Sequence, residues 1–215
     1  MVEEKMVNWN GEVATRQQIR EQKRRAALRV ASRLFNEKGY HATSLDEIAD
    51  RIGVTKTALY YYFRNKEELL YDCLQVSFAC GEQARAEAEE MDGSDYERFC
   101  LYYRRFTQLA IEQSGAFTTT ANIRALPQNM QTALLARRDA LHDYMQGLLD
   151  GAMEDGNLRR LDPRAATGYF FGSINWMLSW HLEEGANDGE GHDPAVFSDK
   201  ILDQALYGLA RPASS

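Results

Sequence analysis

Apolar positions in this chain recur every three to four residues along most of its length, and no useful stretch alternates apolar with polar. The pattern predicts helices throughout. Ile19, Ala26, Ala27, Val30, Ala31, Leu34 and Phe35 form one stripe of a helix over 16–38; it leaves Arg20, Lys23, Arg24 and Arg29 outward and stops at Gly39. Ser44 and Glu47 have capping-box spacing and open a short helix reaching Arg51 or Ile52. Gly53 breaks it, Thr55 can cap a third helix over 56–62, and Asn65 can cap a long fourth one from 66 to about 90. Ser94 and Glu97 repeat the capping-box spacing and open a helix to about 113, followed by a shorter helical piece over 117–126 that ends before Pro127. The next helix runs to about 154 with Leu134, Leu141, Met145, Leu148 and Leu149 on one face. Asp162-Pro163 and Asp193-Pro194 start two more, to about 182 and about 209, around a Gly- and acid-rich loop over 184–193. The expected fold is all-α with about nine helices. It divides into an arm over 1–15 expected to be disordered, a three-helix unit over 16–65 and a larger helical unit over 66–215.

Charge changes this picture. The net charge is −7, which by itself argues against a polyanionic partner. Its distribution points the other way: residues 1–66 carry +5 and residues 67–215 carry −12. Only the head is suited to meet a polyanion. Three cysteines, an odd number, suit a reducing compartment, and residues 1–13 lack the apolar run of a secretory signal, so a cytoplasmic location is expected.

Two short helices joined at Gly53 form the helix-turn-helix pattern. Ile48, Ala49, Val54, Leu59 and Phe63 supply a small core that fixes their angle, so that the second can lie in a DNA major groove. Thr55, Lys56 and Thr57 carry the heads suited to base edges. Tyr61, Tyr62 and Lys66 can donate to phosphates, and Thr43 and Ser44 can add phosphate contacts at the start of the preceding helix. The stretch from about 16 to 70 closely resembles the DNA-binding domain of the TetR (TetR/AcrR) family. The resemblance rests on Thr43, Ile48-Ala49, Gly53-Val54-Thr55, Leu59-Tyr60, and Phe63 followed by Lys66 and Leu69. Many members have His before that Phe; Tyr62 stands there in this chain.

The resemblance implies a homodimer formed through the last two helices. The residues agree: 165–182 contains no Asp, Glu, Lys or Arg, is apolar nearly all round, and places Gly168 and Gly172 four apart for close helix approach. A membrane span is the rival reading of that run. Thr167, Ser173, Asn175, Ser179 and His181 weigh against it. Phe170, Phe171, Asn175, Trp176 and Trp180 resemble the aromatic helix of the TetR subgroup that senses acyl-coenzyme A thioesters. That likeness implies an apolar pocket, with Phe106, Phe117, Phe171, Asn175, Trp176 and Trp180 as candidate lining and Arg104 and Arg124 as anchors for an acidic group. Tyr102, Tyr103 and Arg105 are further candidates.

Catalysis finds no support. His41, His142, His181 and His192 lack metal-ligand spacing, and no phosphate loop, nucleophile elbow or Cys-x-x-Cys occurs; no cofactor or metal is expected. The sequence points to a repressor released from a palindromic operator by a small apolar effector. An activator, or a module whose body binds another protein, is the alternative.

Overall fold

The structure, a computed structural model, describes residues 15–113, 120–184 and 194–207, without the side chains of 177–184, 194, 195 and 197. Among the described residues there are eight α-helices, one short 3-10 helix and no strand. Their order is α1 (Arg16–Lys38), α2 (Leu45–Ile52), α3 (Lys56–Tyr60), α4 (Lys66–Glu89), α5 (Asp95–Glu112), the 3-10 helix (Thr120–Ala125), α6 (Gln128–Glu154), α7 (Pro163–Glu184) and α8 (Pro194–Tyr207). None of the described helices is long and apolar enough to cross a membrane.

Local chemistry sets these boundaries. Thr15 and Gln18 close a reciprocal box at the start of α1, and Gly39, at φ +81°, ends it. Ser44 accepts from the Glu47 amide, but only that half of the expected box forms, because the Glu47 carboxylate turns to Lys38. Ser94 and Glu97 form the full box at α5, and Asn65 and Asp162 cap α4 and α7. α3 stops at Tyr60 rather than at Tyr62. Its end tightens, with the Tyr62 and Phe63 amides both reaching the Leu59 carbonyl, and this turns Phe63 into the core ahead of the Asn65 cap. The expected helix over 117–126 is a 3-10 turn in its described part.

α1, α2 and α3 pack on one another and α1 lies on α4, while α4, α5, α6, α7 and α8 build the body. One apolar cluster contains Leu34, Phe35, Ile48, Leu59 and Phe63 of the head. It continues without a break through Leu69, Leu70 and Leu74 of α4 to Ile123, Leu126, Leu134 and Leu141 of the body. A second cluster fills the far end with Phe99, Tyr102, Tyr103, Met145, Leu149, Phe170 and Ile174. Burial of each such side chain is worth about 1.5–3 kcal/mol. α4 and α6 approach closely at Gly81, where a Cβ would stand 2.7 Å from Leu141 Cδ1.

Candidate nucleic-acid interface and body cavity

The head presents α3 outward. Leu59 alone of that helix is buried, and Thr55, Lys56, Thr57 and Tyr60 are all exposed. Thr55 Oγ1 accepts from the Ala58 amide and Ser44 Oγ from the Glu47 amide, so each hydroxyl keeps its proton for an outside acceptor. Lys56 Nζ donates to Asp46 Oδ2 at 2.8 Å, and that carboxylate holds the ammonium above its ordinary pKa. Tyr61 is 67% exposed with the Arg20 guanidinium 5.3 Å from its ring centroid, and Tyr62 lies edge-on to it, half-buried. A groove beside these two tyrosines is lined by Arg16, Gln17, Ile19, Arg20 and Lys23 of α1.

Two residues expected at this face are turned inward. Thr43 is 1% exposed, and its hydroxyl donates to the carbonyls of Leu34 and Gly39. Its side chain therefore locks the α1–α2 junction and does not point to solvent, which corrects the expected phosphate contact. Lys66 Nζ donates to the carbonyls of Tyr40 and Thr43, each at 2.9 Å, and sits 4.1 Å from the centroid of the Tyr40 ring. Two of its three N–H groups thus tie α4 to that junction, leaving one for an outside acceptor. Neither partner is visible in local spacing, since both lie more than twenty residues away.

In the body, Phe106, Phe171 and Asn175 do come together. With Ser77, Arg138 and His142 they line a narrow cavity of about 50 Å³ between α4, α5, α6 and α7, with Thr120 at its edge. His142 stacks on Phe171, with centroids 4.3 Å apart and planes 4° from parallel, and burial lowers its pKa. Asn175 Nδ2 donates to the Phe171 carbonyl at 3.0 Å. Sequence reading missed Arg138 and His142. Their four-residue spacing on the apolar side of α6 was the available signal.

The remaining candidates are dispersed. Trp176 is 66% exposed, because one step of 100° along α7 carries it away from the Asn175 face; with Ala165, Gly168, Tyr169 and Gly172 it forms an outward stripe. It is therefore not a cavity wall. Arg104 pairs with Asp199 of α8 at 2.5 Å, and Arg124 lies exposed by the groove between the 3-10 helix and residues 38–42, so the two do not converge on one anion. Arg105 pairs with Glu87. Tyr102 and Tyr103 are buried in core, where Tyr103 shares a 2.8 Å hydrogen bond with Ser173 and burial pushes its phenol up to about 12. Phe117 and the Trp180 side chain lie outside the described residues, as does the Asp193 cap.

Comparison with known proteins supplies the context for this geometry. The pattern of "Bacterial regulatory proteins, tetR family" matches residues 27–73, and that of "Tetracyclin repressor-like, C-terminal domain" matches residues 92–207. The fatty acid metabolism regulator protein of Bacillus subtilis (strain 168) is 22% identical over 182 residues, covering 83% of this chain and 91% of that protein. The HTH-type transcriptional repressor KstR2 of Rhodococcus jostii (strain RHA1) is 26% identical over 202 residues, covering 88% of this chain and 92% of that protein. The crystal structure of AibR in complex with isovaleryl coenzyme A and operator DNA shares the fold, with a TM-score of 0.65 and 23% identity over 86% of this chain and 98% of that one. These are regulators, not enzymes. The chain belongs to the TetR family of transcriptional regulators.

Proposed function

We propose that this protein is a dimeric repressor that holds a palindromic operator and lets go when an apolar acyl thioester enters its body. The observation that carries the DNA half is the exposed row Thr55, Lys56, Thr57 on a helix whose opposite side, through Leu59, is anchored in the core. Such a helix can place short polar heads at base edges while Tyr61, Tyr62, Ser44 and the remaining proton of Lys66 hold the backbone.

The outward stripe of α7 is the surface proposed to pair with a second copy. A Cβ at Gly168 or Gly172 would meet nothing within one protomer, which leaves room for a partner helix to approach. Two heads about 34–36 Å apart would then face successive major grooves.

The effector half rests on the cavity between Phe106, His142, Phe171 and Asn175. Its 50 Å³ is far below the roughly 300 Å³ at which ligand pockets begin, so an acyl chain must part the His142–Phe171 stack to enter. The same motion reaches the head, because the cluster that includes Leu141 and the Leu74 region of α4 also includes Phe63. The fatty acid metabolism regulator among the relatives and the isovaleryl coenzyme A bound in AibR support this chemistry, and the KstR2 relative, a repressor, supports the direction of control. The ligand acts only by its differential affinity for two arrangements, and a coupling of about 1–3 kcal/mol suffices.

The test is binding of the purified protein to DNA from beside its own gene, with and without a long-chain acyl-coenzyme A, alongside transcription from that DNA. Specific binding released by the thioester, with transcription rising, supports the reading. Binding indifferent to the thioester removes the effector half, and transcription that falls on release makes the protein an activator.

A further inference from the structure

The first eight residues of α1, Arg16–Lys23, are all exposed, and its buried positions begin only at Ala27. About 12 Å of helix at 1.5 Å per residue therefore projects from the head without burying a side chain. Short helices are marginal in water unless packing supports them; among the described residues this projection is held by its Thr15–Gln18 box and its neighbour Tyr61. Its charge is also unusual. The first turn has no Asp or Glu to offset the positive end of the helix dipole, and it begins with Arg16. Arg16, Arg20 and Lys23 lie on one side, lining with Tyr61 and Tyr62 a groove of about 580 Å³. Among the described residues none of the three cations forms an ion pair, whereas Arg24, the next cation along, is paired with Asp72 at 2.5 Å.

From this we infer that the start of α1 is a second phosphate clamp, gripping the DNA backbone at the edge of the segment that α3 reads. The inference rests on the DNA-binding reading above and extends it to residues outside the helix-turn-helix. The charge complementarity is direct: three cations with no ion pair among the described residues, a first helical turn without an acid, and a phenol face one groove. The groove shares Tyr61 and Tyr62 with the end of the recognition segment, so a duplex seated on α3 lays one strand across it. Arg20 against the Tyr61 ring keeps the guanidinium beside that strand. Contacts of this kind go to phosphate and carry no sequence information.

The experiment compares the intact protein with the variant Arg16→Gln/Arg20→Gln/Lys23→Gln, in which Gln keeps helix propensity and no buried contact is touched. A second variant, Arg160→Gln/Arg164→Gln, removes charge at the far end of the body. Each is titrated with salt on DNA from beside its own gene and on a random-sequence duplex of equal length. The clamp variant is expected to lower the slope of log K against log salt by about 2.7 per protomer on both duplexes, from about 0.9 per lost phosphate contact. Its ratio of specific to random binding should stay the same, and hydroxyl-radical protection should be lost at the outer phosphates only. The far-end variant should keep the parent slope. A clamp variant that keeps the parent slope, or a far-end variant that loses as much, overturns the clamp and leaves the DNA-binding reading standing. A parent protein that binds neither duplex overturns that reading and the clamp together.

Discussion

The two halves of this molecule treat polar chemistry in opposite ways. The head keeps a small apolar core and displays its candidate DNA-contacting groups, with Thr55, Lys56, Thr57 and Tyr61 all exposed. The body turns its candidate groups inward, packing buried Phe106 and half-buried Phe171, His142 and Asn175 around 50 Å³ of space. On the proposed function, the difference teaches that the head is complementary before DNA arrives, whereas the body must be rearranged by its effector. Pre-formed surfaces cost little to use, while a closed cavity converts part of the ligand's binding energy into motion.

The sharpest way to break the contrast is to remove the head's core while sparing its surface. Phe63 is 1% exposed, and Phe63→Ala is expected to cost about 3–5 kcal/mol, with operator binding lost although every displayed polar residue remains. Urea unfolding measures it; retained binding at parent stability would mean that the displayed residues need no such support. A smaller effect is expected from Lys66→Met, which keeps the stem but leaves the Tyr40 and Thr43 carbonyls without their donor. About 1–3 kcal/mol of stability should go, and binding to all DNA sequences should weaken together.

In the body, burial lowers the His142 pKa, so the unfolded chain takes up protons first as the pH falls. The contribution is complete above the unfolded value near 6.5 and is lost as the pH drops from there through the folded value. His142→Phe keeps a ring against Phe171, and it should shrink the fall in melting temperature between pH 7 and pH 5. An unchanged fall would assign the pH dependence elsewhere. The smallest effect is expected at Tyr102, whose buried hydroxyl has no hydrogen-bond partner among the described residues. Tyr102→Phe should leave stability unchanged or raise it by up to about 1 kcal/mol, in contrast to Phe63→Ala and Lys66→Met.

The same contrast explains what was legible in the sequence. Helix starts and stops are set by residues three or four apart, such as Ser94 with Glu97 and Asn65 with Glu68, so they could be read directly. The outward groups of α3 were legible for the same reason. The inward turn of Thr43 and the staple at Lys66 were not, because their partners lie on other elements. Body candidates chosen by family resemblance and residue type scattered: Asn175 faces the cavity and its neighbour Trp176 faces out, a distinction set by helix phase. Arg138 and His142 entered the cavity only once α6 and α7 were packed together.

The unbroken core from Phe35 through Leu70 to Leu134 also bears on how such a chain could be recombined. A chimera spliced at Asn65 would join a foreign head to an α4 whose Leu69, Leu70 and Leu74 are shaped to this head, and to the Ile123 and Leu126 that close over them. The transferable cassette is therefore longer than the DNA-reading motif. It carries the opening turns of α4 with it, and its natural seam lies beyond Phe78, where the apolar contacts pass to the distal cluster that begins at Cys80.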